Sequence, residues 1–237
     1  MCAVGTLKVV PTLHSLSCLG INRLERALSL ETLTGFSFPQ APGLCTRYAT
    51  QISCRREPED HVTVSIIPSQ GTDANKDRLR AFKRNIPKLT NEDLLKIIRD
   101  ANEAMGIPMT VEENDPSLCT FSSHTLKIEI CGPKQEHFTI IDVPGIFRVV
   151  SPRFTIGADV ELVRKMVQFY IENSRTIILA VLPANVDITT QEILKMAEKA
   201  DPAGVRTMGV LTKPDLVTEV ASQIAINDLV LGKGKKL

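Results

Sequence analysis

The chain has 237 residues, 43% of them hydrophobic, and a formal net charge of +1. That is one domain with enough apolar residues for a proper core, and the near-neutral charge gives no footing for nucleic-acid binding. No apolar run reaches the length of a transmembrane helix. The six cysteines (Cys2, Cys18, Cys45, Cys54, Cys119, Cys131) form no Cys-x-x-Cys pair and show no metal-ligand spacing, so they read as structural thiols of a reducing compartment.

Met1–Leu24 contains no acidic residue, and Lys8 and Arg23 are its only formal charges. A mitochondrial transit segment and an irregular N-terminus both fit this composition, and the scarcity of arginine favours the second. Apolar residues at helical spacing predict an amphipathic helix over Ile21–Leu33. Phe36–Gly43 is a loop punctuated by Pro and Gly. Leu44–Arg55 and His61–Ile67 are β-branched runs split by Arg56-Glu57-Pro58-Glu59-Asp60, and they read as paired antiparallel strands. Gln70–Lys88 is polar and charged and reads as a surface connection. Thr90-Asn-Glu-Asp93 resembles a capping box with Asp in place of Glu. The helix it opens carries Leu94, Leu95, Ile97, Ile98 and Ala101 and stops near Gly106-Ile107-Pro108. His124–Cys131 alternates as a strand.

The second half of the chain is more regular. Phe138-Thr139-Ile140-Ile141 is a short buried-strand run that ends in Asp142-Val143-Pro144-Gly145. A helix (Gly157–Asn173), a strand (Thr176–Leu182), a helix (Thr189–Ala200) and a strand (Thr207–Leu211) follow, and the last runs into Thr212-Lys213-Pro214-Asp215. A helix over Thr218–Leu231 and the basic tail Gly232–Leu237 complete the chain. A run of like charges such as this tail is usually solvated, and anionic lipid is its other partner. Strands alternating with crossover helices make a parallel sheet. Asp142 and Thr212 then emerge at one carboxyl edge, where open α/β sheets place their ligands. A carboxylate there can hold Mg²⁺ directly or through a water. Gly145 lacks a Cβ, so its N–H can approach a phosphate closely.

Asp142-Val-Pro-Gly145 and Thr212-Lys-Pro-Asp215 resemble the second-switch and base-recognition motifs of GTPases. Leu179-Ala-Val-Leu-Pro-Ala-Asn185, Asp201-Pro-Ala-Gly-Val-Arg-Thr207 and Gly43-Leu-Cys-Thr-Arg47 resemble the large GTPases of the dynamin superfamily, above all its fungal, Mx-like branch. The resemblance runs from about Glu31 to the end of the chain. It implies an α/β, P-loop-GTPase-like fold, a mostly parallel sheet flanked by helices. It also implies GTP as substrate with Mg²⁺, in-line attack by water on the γ-phosphate, and membrane remodelling as the work done. Self-association through the GTPase domain, membrane association of the full-length protein and a cytoplasmic or organelle-associated location (mitochondrion, vesicles) come with it. Residue by residue, Thr46 matches the first-switch Thr that contacts Mg²⁺ and helps hold the attacking water. Asp142 matches the second-switch Mg²⁺ carboxylate, and Gly145 lies where the γ-phosphate is sensed. Thr212, Lys213 and Asp215 match the guanine-binding turn. Asp215 can accept from both guanine donors, N1 and the exocyclic amine, whereas adenine offers no such pair. The Lys213 stem can lie along the base, and Pro214 fixes the backbone between them.

One departure is chemical. The Gly-Lys-Ser of the phosphate loop falls on Glu25, Arg26 and Ala27. Glu25 repels phosphate, Ala27 has no hydroxyl for Mg²⁺, and Arg26 keeps a charge on a different donor fork. The first strand and phosphate loop are therefore expected to be missing or replaced. Residues 1–30 read as an atypical N-terminal segment and 31–237 as a partial dynamin-type GTPase domain, without the further strand, base-contacting loop and helical stalk of the family. The competing function is a catalytically silent, GTPase-like interaction module. An ATP-using kinase or helicase is disfavoured by the Thr-Lys-Pro-Asp turn.

Overall fold

The computed structural model describes residues 15–20, 47–69, 76–107, 120–145, 157–185, 192–231 and 233. The expected helix over Ile21–Leu33, the Phe36–Gly43 loop, Thr46, and Glu25, Arg26 and Ala27 lie outside them. The described part is a mixed α/β domain whose strands are β1 (Ser15–Gly20), β2 (Ala49–Arg56), β3 (His61–Ile67), β4 (Lys83–Ile86), β5 (Thr125–Gly132), β6 (Phe138–Asp142), β7 (Thr176–Pro183) and β8 (Thr207–Thr212). They form one sheet in the order β4-β3-β5-β2-β6-β1-β7-β8. Its helices are α1 (Lys76–Ala81), α2 (Asn91–Met105), α3 (Gly157–Ile171), α4 (Glu192–Ala200) and α5 (Val220–Val230).

The sheet has two regions. β6, β1, β7 and β8 are mutually parallel. β2 reverses against β6, β5 runs parallel to β2, and β3 and β4 add antiparallel pairings. β7 is covered on both faces, and Ile178, Leu179, Ala180, Val181 and Leu182 are all buried. Such a strand reads as an unbroken apolar run because neither face meets water. Its neighbours separate by parity. Ile178 and Leu182 join Ile141, Val163, Val167, Ile193 and Ala197 beneath α3 and α4. Leu179 and Val181 meet Ile140 on the other face. Ile140 is level with Ile52, and Ile52 packs with Leu94, Ile97 and Ala101 of α2. Helices therefore cover both faces, in three layers.

α2 forms because its ends and its apolar stripe agree. The Asp93 amide donates to the Thr90 hydroxyl (3.1 Å), and the Thr90 amide donates back to the Asp93 carboxylate (3.1 Å), which closes the expected capping box. Leu94, Ile97 and Ala101 are buried at helical spacing, and burying each large side chain contributes about 1.5–3 kcal/mol. Gly106 ends the helix with φ 69°, in the left-handed region. α3 and α4 are joined on the surface by Arg164, which donates through Nε and Nη2 to the Glu192 carboxylate (3.0 and 2.7 Å).

Three expectations need correction. First, β2 and β3 do not pair with each other, because β5 lies between them, parallel to β2 and antiparallel to β3. The connector Glu57–Asp60 must cross the end of β5. That step spans two strand spacings, about 10 Å, within reach of four residues at about 3.3 Å each. The Glu57 amide donates to the Gly132 carbonyl (3.1 Å) on the way. A Cβ at Gly132 would meet the carboxylate of the exposed Asp60, which would have to turn aside. Second, Gln70–Lys88 is not merely a connection. It contains α1 and the edge strand β4, fixed by Leu79 and Phe82, which are buried in the core under α2. Leu79 and Phe82, with the partly buried Ile86 packed against the same cluster, anchor a segment that is otherwise mostly polar. Third, a strand does stand where the first strand was expected to be missing or replaced. β1 lies between β6 and β7, in the middle of the sheet, with Cys18 level with both Asp142 and Leu179.

Candidate functional site

The carboxyl ends of β6, β1, β7 and β8 lie on one edge, so Asp142 and Thr212 emerge on the same side. β1 runs two residues past the level of Asp142 and ends at Gly20, level with Val181. Gly20 was not picked out from the sequence, although the signal was available. It stands five residues before Glu25, the spacing between the two glycines of a Gly-x-x-x-x-Gly-Lys-Ser loop.

Asp142 is half-buried, and the turn after it is anchored by Val143 and Pro144, both buried, before the half-buried Gly145. Val143 packs in the cluster under α3. This anchoring gives the Asp142 carboxylate a fixed place on the edge. Such an oxygen donor suits Mg²⁺, directly or through water, so the part of the cation site that is described fits. Thr46, the other oxygen donor assigned to it, lies outside the described residues.

The turn after β8 is built with more strain. The Thr212 hydroxyl donates to the Leu182 carbonyl (3.2 Å), and the Ala184 amide donates to the Thr212 carbonyl (2.7 Å). These bonds pin the end of β8 to the end of β7. Lys213 follows with φ 53° and ψ 47°, alone in the left-handed region among the described non-glycine residues. A non-glycine residue there costs on the order of 1–3 kcal/mol, and a residue before proline is usually extended. The conformation is held from both sides. Pro214–Leu216 forms one 3₁₀ turn in which the Leu216 amide donates to the Lys213 carbonyl (3.1 Å), and Val217 is buried beyond it. Strain of this kind concentrates at ligand-binding positions. Asp215 sits exposed in the turn, one residue after the proline.

Asp201-Pro-Ala-Gly-Val-Arg-Thr207 has a structural role. Asp201 is buried, and its carboxylate accepts from the Val205 amide (3.2 Å), the Arg206 amide (2.9 Å) and the Thr207 hydroxyl (2.7 Å). Burial opposes its ionisation, but the Thr207 hydroxyl and the two amides outweigh burial and hold the carboxyl below its usual range. Arg206 donates to the Thr176 carbonyl (3.0 Å) and to Ala200 at the end of α4 (2.5 Å), a favourable place for a cation. The loop locks the start of β8 to α4 and β7, and so sets where the Thr212 turn emerges.

Comparison with known proteins agrees with these motifs. The model of the Dynamin family matches residues 29–214. The interferon-induced GTP-binding protein Mx of Perca fluviatilis is 30% identical over 219 residues, which cover 91% of this chain and 64% of that protein. The Mx protein of Dicentrarchus labrax is 31% identical over 218 residues, covering 91% of this chain and 30% of its own length. This chain thus spans less than two thirds of either relative. Among solved structures, a chain from an oligomerised bacterial dynamin pair, described as providing a mechanism for long-range sensing and tethering of membranes, has the same fold. It matches with a TM-score of 0.50 and 13% identity, over 95% of this chain and 30% of its own. Among the described residues, no helix is long and apolar enough to cross a membrane. With more than half of its length matched by the family model, the chain belongs to the dynamin family.

Proposed function

We propose that this domain binds a guanine nucleotide at the carboxyl edge of its sheet, and that the chain by itself does not turn GTP over at the rate of an intact dynamin-type domain. The observation that carries the first half is the common edge shared by Asp142, Gly20 and the strained Thr212–Asp215 turn. Base choice rests with Asp215, whose carboxylate can accept from both guanine donors and is left unpaired by adenine. Lys213 would lie along the base, and Gly145 would approach the outermost phosphate. Mg²⁺ would offset the negative charge of the phosphates. Asp142 and Thr46 are the residues that would hold it.

The second half rests on the phosphate loop. Glu25, Arg26 and Ala27 stand at the Gly-Lys-Ser positions. An acid, a misfit cation and a methyl replace the donors that stabilise the transferring phosphoryl group. The membrane remodelling and self-assembly of dynamin-type proteins would be work for a longer chain carrying such a domain. Its location, cytoplasmic or at a membrane, is part of the same proposal.

Calorimetry with guanosine, GDP, GTP and ATP in Mg²⁺ buffer tests this reading. Guanine should be preferred over adenine, binding should be weak, and phosphate number should matter less than in an intact GTPase. Asp215→Ala should erase the base preference. Equal binding of ATP and GTP would end the guanine assignment. Tight Mg²⁺-dependent GTP binding with ordinary turnover, lost in Asp142→Ala, would end the claim of impaired hydrolysis.

A further inference from the structure

At the opposite edge of the sheet the structure gathers three side chains of different ligand type. His61 opens β3 and is level with Cys131 on β5, so both project from the same face. Glu57 lies in the connector that crosses the end of β5, with its amide bonded to Gly132. Its carboxylate is 3.7 Å from His61 Nε2. One ligand atom from each of the three, nitrogen, oxygen and sulfur, lies within 4.8 Å of the other two. We propose that Glu57, His61 and Cys131 form a binding site for a borderline-soft divalent cation, Zn²⁺ in chemical class, at the amino edge of the sheet.

Geometry is the first argument. Tetrahedral zinc with Zn–N and Zn–O bonds of about 2.0–2.2 Å separates those two ligand atoms by about 3.3–3.5 Å, and the His61–Glu57 separation of 3.7 Å lies close to this. The remaining adjustment is within reach, because Glu57 and His61 are part-exposed and free to shift, while Cys131 is buried and fixed. The second argument is the orientation of the imidazole. His61 Nδ1 lies 3.3 Å from the Glu59 carbonyl. A proton held there leaves Nε2, the nitrogen facing Glu57, as the lone-pair donor. A backbone carbonyl on the far nitrogen is the usual support of a metal-bound histidine.

Ligand softness then selects the ion. One thiolate and one imidazole favour Zn²⁺ over Mg²⁺ or Ca²⁺, which require oxygen sets. Binding releases the Cys131 proton to solvent, because the thiolate and not the thiol is the ligand. Cys54, the neighbouring thiol on β2, takes no part. It belongs to the core on the other face, and burial followed by the charge of Cys131 pushes it up to about 11. The exposure of His61 and Glu57 leaves the fourth position to water. Three protein ligands with one open position are an established zinc arrangement.

The test is titration of the full chain, stripped with a chelator, with Zn²⁺ alone by calorimetry and with Co²⁺ by absorption. We expect one Zn²⁺ per chain, undiminished by excess Mg²⁺, and a thiolate-to-cobalt charge-transfer band in the near ultraviolet. Cys131→Ser should remove the band. Loss of a supporting partner alone weakens a metal site about 10–100-fold, so His61→Ala and Cys131→Ser should each weaken Zn²⁺ by on the order of 100-fold or more. His61 is part-exposed, so its variant remains informative even where Cys131→Ser does not fold. Cys54→Ser should keep the band. Absence of stoichiometric Zn²⁺ binding to the unaltered chain would overturn the proposal. So would His61→Ala binding as tightly as the parent, or a charge-transfer band that persists in Cys131→Ser and so belongs to another thiol.

Discussion

Replacing Asp201 by Ala is the sharpest test of how the Thr212–Asp215 turn is positioned. The carboxylate is buried, and it accepts from two backbone amides and one hydroxyl at 2.7–3.2 Å. Each hydrogen bond to a charged group is worth about 1.5–3 kcal/mol net. Alanine removes both acceptor oxygens, and with them all three hydrogen bonds, and strands the Val205 and Arg206 amides, although exposure of the loop lets water recover part of the loss. A destabilisation of about 2–4 kcal/mol follows, at the upper end for single substitutions. Thr207→Val removes only one of the three donors and should cost about 1–2 kcal/mol. The sign of the pH dependence also follows. The folded carboxyl is held below its ordinary value, so its contribution is full above the ordinary Asp range and is lost as pH falls through the lowered value. Urea unfolding of the full chain, followed by circular dichroism at neutral and acid pH, measures both effects. If Asp201→Ala unfolds within about 0.5 kcal/mol of the parent, the surface-substitution range, the loop does not lock β8 and the reasoning fails.

Other substitutions probe the remaining parts. Thr90→Ala removes the N-cap of α2 and should cost about 1 kcal/mol. The Thr90 hydroxyl, and after it the Thr90 amide, lower the Asp93 carboxyl, so the capping contribution seen in a pH series should fade as pH drops below the ordinary Asp range. Gly132→Ala should destabilise by no more than about 1 kcal/mol, the cost of turning the exposed Asp60 carboxylate aside from the new Cβ. Adding Asp60→Ala should recover most of that loss in a double-mutant cycle, and no recovery would mean the collision is not the cause.

From β6 onward the fold was legible because long-range and local signals coincide there. The runs Phe138–Ile141, Thr176–Leu182 and Thr207–Leu211 are apolar enough to be buried strands, and helices of adequate length separate them. The capping box at Thr90 was legible for a similar reason, since its chemistry is confined to four residues. β2 and β3 were misread because a short polar connector between two β-branched runs looks like a hairpin. Only the arrival of β5, far along the chain, decides that they are separated. β1 was not legible because Ser15-Leu-Ser-Cys-Leu-Gly20 is a weak strand by composition. The residue types of the Thr212–Asp215 turn could be read, but the left-handed backbone of Lys213 could not, because lysine carries no preference for it. Glu57, His61 and Cys131 gave no signal at all. Their grouping depends on the same strand order that the hairpin reading missed.

That strand order also separates the two edges chemically. β2 runs parallel to β5 and antiparallel to β6, so the connectors that follow β2 and β5 both emerge at the amino edge, away from Asp142 and Thr212. They are already tied there. Arg56 donates to the Gln135 carbonyl (3.2 Å) and to the Glu136 carboxylate (2.7 Å), and the Glu57 amide donates to Gly132 (3.1 Å). A cation between Glu57, His61 and Cys131 would reinforce connectors held in the same place without it. A ligand shifts a conformational equilibrium only through its differential affinity for two states. Between the edges lie Ile52, Ile128 and Ile140, each almost wholly buried, in a packing that a small rearrangement at either end does not deform. Occupation of the amino edge therefore acts on the folded state as a whole, by mass action against unfolding. The proposed choice of base at the carboxyl edge would stay with Asp215 and the strained turn that presents it.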